Sequence, residues 1–389
     1  MNLATYFQFA ANNWRMLLFG VLLSSMAGFG QTYTISLFGV GLRSDFTLSD
    51  GALATLYAAA TLAAALTLPL VGPWIGRTSV KLYTAFAAVL LACSALLAAV
   101  SLSTLALAIS LYGLRLAGQC LLPHTAITIT ARAMPTAVGT ALSLIGFGIA
   151  IAQSILPITL VACIAAFGWR GTWVIVAVVA LGVIGCAQLL LLPVMHQSSS
   201  DPSPPRPGIL PIRAWSDPRF WLTAPALLAE SFIFTAFLFH QARLASEKGW
   251  ALEWFAGWFV VFTVTQMLMS IVAGPLIDKL GASRLAPLFL LPQALGLIVL
   301  ALASAPWAAL AYLMLTAISV AMDDTLRVAL WVERYGSGEM AGIRSKFEAV
   351  RVMMTGLAPV ATGFLLDGGV TLSIQAGPKI HKGGLGPGC

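Results

Sequence analysis

Apolar residues in this chain gather into long runs, separated by short clusters of Gly, Pro and charged residues. About 20 mostly apolar residues is the length an α-helix needs to cross the hydrocarbon of a bilayer. Read this way, the pattern predicts eleven helices, near 15–40, 52–71, 82–100, 105–130, 138–164, 172–193, 220–243, 254–273, 285–303, 306–332 and 348–366. Between the sixth and seventh runs the pattern fails over His196-Gln-Ser-Ser-Ser-Asp-Pro-Ser-Pro-Pro-Arg-Pro-Gly208, a Ser/Pro-rich tract that cannot pack and reads as a linker. The predicted organisation is a six-helix bundle over 1–195, a linker over 196–218, a five-helix bundle over 219–370 and a Gly/Pro-rich tail over 371–389.

Composition turns this pattern into a fold class. Of 389 residues, 59% are hydrophobic and only 9% charged, whereas soluble chains carry roughly 25% charged residues. A single buried core stops growing near ~250–300 residues, so the remaining apolar surface must face lipid. The chain is an all-α, polytopic membrane protein. Its net charge of +7 then marks topology and not nucleic acid, because Lys and Arg collect on cytoplasmic loops. With the N-terminus inside, that side receives Arg77, Lys81, Arg132, Arg206, Arg213, Arg219, Lys279, Arg284, Arg334, Arg344, Lys346 and Arg351, while the outer loops hold Arg43, Arg170, Arg243 and Lys248. The segment Met1 to Arg15 is polar and aromatic and opens a membrane domain instead of forming a cleaved signal. The predicted location is the cell (inner) membrane, multi-pass, with a cytoplasmic N-terminus. Cys93, Cys120, Cys163, Cys186 and Cys389 form no C-x-x-C, which implies neither a disulfide framework nor zinc.

An internal repeat refines the architecture. Gly72-Pro-Trp-Ile-Gly-Arg-Thr-Ser-Val-Lys81 follows the second helix, and Gly274-Pro-Leu-Ile-Asp-Lys-Leu-Gly-Ala-Ser-Arg284 follows the eighth, at an offset of 202 residues. Two parallel halves joined by a cytoplasmic linker form a transporter architecture, with the site at the midplane between them.

These loops resemble the signature of the major facilitator superfamily, Gly-x-x-x-Asp-Arg-x-Gly-Arg-Arg/Lys. Gly274, Asp278, Lys279, Gly281 and Arg284 fit it; the first copy departs, with Gly76 and Ser79 in place of Asp and Gly. The resemblance implies two pseudo-symmetric six-helix bundles working by alternating access, with the Asp of the loop capping a neighbouring helix. Phe29-Gly-Gln-Thr-Tyr-Thr-Ile-Ser-Leu-Phe38, Arg115-Leu-Ala-Gly-Gln119, Gly168-Trp-Arg170, Glu333-Arg-Tyr-Gly336 and Gly363-Phe-Leu-Leu-Asp367 are similar to motifs of a bacterial branch related to monocarboxylate and oxalate/formate transporters.

Ionisable residues inside spans are costly and face a cavity or a partner. Arg115, near mid-depth of the fourth helix, shares a face with Tyr112 and Gln119 by its i−3 and i+4 spacing. It reads either as the anchor for an anionic substrate or as a structural tie between helices. Gln31 and Thr34, with Ser24 and Gly28, form a polar face of the first helix and complete the substrate set. Glu230, with Thr223 and Gln241 returning near the same face, is a candidate proton carrier or the partner of a buried Arg. Asp323 and Asp324 can both reach Arg327 at i+4 and i+3, as a local ion pair near the inner interface, and the carboxylate left over is a candidate to bind a proton, with Glu230, or to hold an inner gate. His124 reads as a packed or interfacial histidine. Gly72, Arg77, Lys81, Gly274, Asp278, Lys279, Gly281 and Arg284 are the gating set.

No Lys-Ser or Lys-Thr occurs, so there is no Walker A loop, and no catalytic or metal motif is present. The function predicted is not enzymatic and uses no cofactor. It is secondary transport of a small organic solute, a carboxylate anion first, driven by proton symport or exchange for a counter-anion, by a monomer in the lipid bilayer. Proton-coupled efflux of amphiphilic drugs is the alternative within transport, and a transporter-like receptor or inactive remnant the alternative outside it. The 202-residue repeat predicts a twelfth helix near 374–395; the Gly/Pro-rich, basic stretch there cannot span. The twelfth helix is therefore expected to be missing, through a truncated or frame-shifted C-terminus.

Overall fold

A computed structural model of the chain describes residues 3–134, 138–191 and 217–377. Among these residues the secondary structure is helical, with no strand. The first span, α1, is a bent pair, Trp14–Gly30 and Thr32–Phe46, turned by 46°. It is followed by α2 (Asp50–Gly76), α3 (Val80–Val100) and α4 (Thr104–Ala133). Helix assignment then runs over Val138–Leu191 but breaks at Gly168, with φ 70° and ψ 167°. That backbone is open to glycine and strained for other residues, so the run divides into α5 (138–167) and α6 (169–191). The second half contains α7 (Phe220–Phe239), α8 (Leu252–Leu280), the shorter α9 (Leu291–Leu302), α10 (Trp307–Trp331) and α11 (Val350–Asp367). A short helix, Leu372–Ala376, comes after α11.

Helix assignment is unbroken from Trp307 to Asp367, yet α10 and α11 cannot be one rod. The rings of Trp331 and Phe347 lie 5.6 Å apart, whereas 16 residues of straight helix span about 24 Å. The chain therefore folds back between them. Most of the expected linker over 196–218, and the expected tail beyond Gly377, fall outside the described residues, as does all but the start of the predicted twelfth helix.

Local sequence explains the starts of the first-half spans. Ser49, Ser79 and Ser103 each sit in extended backbone and accept from the N–H of Ala52, Leu82 and Ala106, at 3.1, 3.2 and 3.2 Å. These are serine N-caps, which satisfy donors that a helix start leaves unpaired. Within the spans, Thr61, Thr84, Ser94, Thr125 and Thr263 donate to the carbonyl four residues earlier. That internal bond is what a hydroxyl needs where water is absent. Leu66, Leu70, Leu105, Leu189, Leu222 and Ile271 are exposed, as helices bathed in lipid require.

Each half has its own core, and the two meet where Phe239 packs on Tyr57 at 4.5 Å. Phe38 stacks on Trp173 at 4.1 Å in the first, and Phe220 on Trp331 at 4.9 Å in the second. Glycine sets the closest approach in the first half. A Cβ on Gly118 of α4 would lie 2.5 Å from the Gly30 Cα and 2.6 Å from its nitrogen, both backbone atoms of α1. Small residues allow helices to meet this closely in membranes. Gly118→Ala should destabilise the folded protein in detergent by about 1–3 kcal/mol through overpacking. Gly182→Ala, where nothing lies within 4 Å, should leave the melting temperature unchanged or raise it.

Candidate functional site

The bend in α1 creates the first feature of the site. Gln31 has an extended ψ of 159°, and the N–H of Thr34 bonds to the Gln31 carbonyl instead of continuing the ladder to Gly30. The freed Gly30 carbonyl accepts from Nη1 of Arg115 at 2.9 Å, and Nε of Arg115 donates to Thr61 Oγ1 at 3.0 Å. The guanidinium also lies 4.8 Å from the centre of the Tyr57 ring. Arg115 is 2% exposed, and among the described residues no carboxylate pairs with it.

Arg115 opens a π-helical turn, Arg115–Leu121. Inserting this wider turn shifts the register of α4, so the stripe expected of Tyr112, Arg115 and Gln119 is split. Tyr112 Oη pairs with Thr67 Oγ1 at 3.0 Å. Gln119 lines a cavity, whereas Arg115 points to α1 and α2. The polar face expected on α1 is likewise broken by the 46° bend: Thr34 is completely buried, and neither it nor Gln31 lines the cavity.

That cavity, about 800 Å³, lies between α2, α4 and α11. Thr61, Leu62, Leu66, Pro69, Gln119 and Met353 are among its walls, with His124 and Cys120. It is mostly apolar with a few hydrogen-bonding groups. His124 thus lines the cavity, with Nε2 3.3 Å from the Gly72 carbonyl. Thr61 belongs both to the wall and to the shell of Arg115, so one hydroxyl separates the guanidinium from the cavity.

The second half carries a cluster of opposite balance. Asp323 and Asp324 meet Arg327 at 3.4 and 2.9 Å. Glu230, 3% exposed, accepts from Ser231 Oγ at 2.9 Å, and Arg351 of α11 reaches the same hydroxyl at 3.5 Å. Gln293 donates to the Glu230 carbonyl at 3.4 Å. Glu230 Oε1 and Asp323 Oδ1 are buried with no hydrogen-bond partner. Among the described residues, three carboxylates face two guanidiniums here. The grouping of Glu230 with Thr223 and Gln241 is not found. α7 ends at Phe239, Gln241 bonds the Tyr33 carbonyl (3.0 Å) and Ser36 Oγ (2.6 Å), and Thr223 accepts from Arg334 at 3.3 Å.

The two ends of the bundle differ. At the Gly72 end, Arg77, Lys81, Asp278, Lys279 and Arg284 are exposed, and Gly281 takes φ 87°. Arg132 donates to the Ile75 carbonyl at 3.4 Å. Glu333 accepts from the N–H of Ala282 at 2.9 Å. The Ser283 hydroxyl, with the N–H groups of Ala282 and Ser283, holds the Glu333 carboxyl below the usual carboxylate range. Gly274 has open space around it.

At the opposite end the halves are latched. The Asp367 carboxylate, at the end of α11, accepts from Ser49 Oγ at 2.6 Å and from the N–H groups of Asp50 and Gly51 at 3.0 Å each. It caps α2, where the helix dipole favours negative charge. Gly363 of α11 fits against Asp50 and Gly51: a Cβ there would lie 2.8 Å from the Asp50 carbonyl. Asp50 also pairs with Arg43. Thr61, Asp50 and His240 stand in no motif of the sequence, and Asp367 stands only within one that it shares with Gly363. The Ser49 cap that prepares α2 is the one local signal for the latch.

The family model described as Major Facilitator Superfamily matches residues 17–343. Among solved structures, the chain is similar to a bacterial homologue of the human lysosomal transporter Spinster, inward-facing and occupied, with TM-score 0.72 and 15% identity over 93% of this chain and 87% of that one. It is also similar to the nucleoside transporter NupG in its D323A mutant form, with TM-score 0.68 and 15% identity over 94% of each chain. No curated protein matched the sequence.

Asp367→Ala removes a charged helix cap worth about 1 kcal/mol, a factor of about five in an equilibrium. A cysteine replacing buried Leu53 beside the latch should then be alkylated several-fold faster than in the Asp367 background.

Proposed function

The chain belongs to the Major Facilitator Superfamily, and on that premise we propose that it moves a small organic anion with an apolar body, coupled to protons. Arg115 carries this reading. A guanidinium does not lose its charge in proteins, and an uncompensated charge inside a membrane protein is expensive. Arg115 has a carbonyl, a hydroxyl and an aromatic face, but no carboxylate among the described residues. An arriving carboxylate would supply the missing charge, since the planar guanidinium suits it bidentately. It would displace Thr61 while its apolar body fills the cavity beside Leu62, Leu66 and Met353. Gln119 and His124 would bind the polar edges.

The second-half cluster supplies the coupling. With Glu230, Asp323 and Asp324 ionised against Arg327 and Arg351, the group carries one excess negative charge; one proton shared among the carboxyls neutralises it. Neutral clusters cross between conformations more cheaply than charged ones. A cytoplasmic N-terminus, which the Lys/Arg bias supports, places Asp50 and Asp367 outside and the cavity on the inner side. The described conformation then corresponds to an outer gate closed by Asp367, and the Gly72 and Gly274 loops would close the inner side in the alternate state. The bundles over 1–195 and 219–370 would be the two moving bodies, held in the inner membrane.

Uptake into proteoliposomes of aromatic and medium-chain monocarboxylates, with and without an inward proton gradient, tests this. Wild-type flux should rise with the gradient. Arg115→Gln should abolish it, and Glu230→Gln should leave carboxylate exchange but remove the response to the gradient. Carboxylate flux unchanged by Arg115→Gln, or transport confined to cationic amphiphiles, overturns the reading.

A further inference from the structure

His240 occupies a position that the transport reading does not use. It comes directly after the last residue of α7 and is 4% exposed. Nε2 lies 3.0 Å from the Pro359 carbonyl of α11, and Nδ1 lies 3.8 Å from Asp50 Oδ1 at the start of α2. Both ring nitrogens therefore face oxygen atoms that can only accept. A neutral imidazole has one donor and one acceptor; an imidazolium has two donors. Only the protonated ring satisfies both neighbours, and one neighbour belongs to the opposite half of the molecule.

The charges around it agree. Arg43, at the end of α1, pairs with Asp50, and Arg243, in the helix after His240, pairs with Glu247 at 3.6 Å and also acts on Asp50. Asp367 of α11 caps α2. Tyr57 of α2 lines the same small recess as His240. Lys248 also acts on Glu247, so Asp50, set beside Arg43, is the carboxylate that faces the ring.

We propose that His240 is a proton-binding residue of the interface between the halves, and that its protonation closes the Asp50 end of the transporter. When α2 withdraws from α7 and α11, the ring loses Asp50 and its preference for the charged form falls. Binding and closure are then reciprocal by linkage: closing strengthens proton binding, and the proton strengthens closing. The closed end is favoured at low pH and released as pH rises. Imidazole is the side chain whose charge changes near neutrality, and this site is separate from the carboxyl cluster of Glu230 and Asp323. The proposal rests on the alternating-access reading above, but not on the identity of the solute.

The test uses the full chain in lipid nanodiscs without solute, its native cysteines replaced, spin-labelled through Ser44→Cys and Thr371→Cys on exposed positions of the two halves. The ratio of short to long inter-label distances should rise roughly fivefold or more from about pH 8 to about pH 5.5. His240→Gln, which cannot charge, should flatten this response, and Asp50→Asn should do the same with His240 intact. A pH response that survives both His240→Gln and Asp50→Asn, or a wild-type protein with no response, overturns the proposal. If no carboxylate is transported yet the distances still depend on His240, the solute reading falls and this one stands.

Discussion

Charge inside a membrane protein has to be balanced by the protein itself, and the site is organised around how far this is done. In the first half a guanidinium is solvated, with no counter-charge among the described residues, by a carbonyl that a helix bend releases and a hydroxyl from α2. In the Glu230 cluster of the second half, carboxylates outnumber guanidiniums among the described residues. Each half thus carries a different charge balance among the described residues, positive around Arg115 and negative around Glu230 and Asp323. A soluble protein could leave such groups to water; a span in hydrocarbon cannot.

The same constraint shapes the contact between halves. Charged residues that would be expensive within a span are placed at span ends, where helix termini offer unpaired donors. Asp367 uses the start of α2, and Glu333 uses the N–H of Ala282 at the other end. Both link a segment to a neighbouring helix by backbone donors, which hold while packed and let go when the helices part. Gly363 permits the first of these by removing the side chain that would hold α11 off α2.

Much of this was legible in the chain. The spans follow from run length and the Asp323–Arg327 pairing from helical spacing; both are local, and local rules hold inside a helix. The substrate face was less legible, because two departures from ideal helix interrupt it. The bend at Gln31 and the π-turn at Arg115–Leu121 each rotate the residues downstream of them, so residues placed on one face by a period of 3.6 part company. Gln119 reaches the cavity, Arg115 turns to α1, and His124, half a turn out of phase on a regular helix, comes into the wall.

By itself, then, the sequence determined that this protein lives in a bilayer, how many times its apolar runs can cross and which residues bring charge there. Those properties depend on length and hydropathy, which need no partner. Tertiary structure decided which charges meet. Asp367 and Ser49 are 318 residues apart, His240 and Pro359 are 119 apart, and no local spacing rule relates them. Only tertiary packing brings an acceptor to a donor across that distance, within a half for His240 and Pro359 and between halves for Asp367 and Ser49.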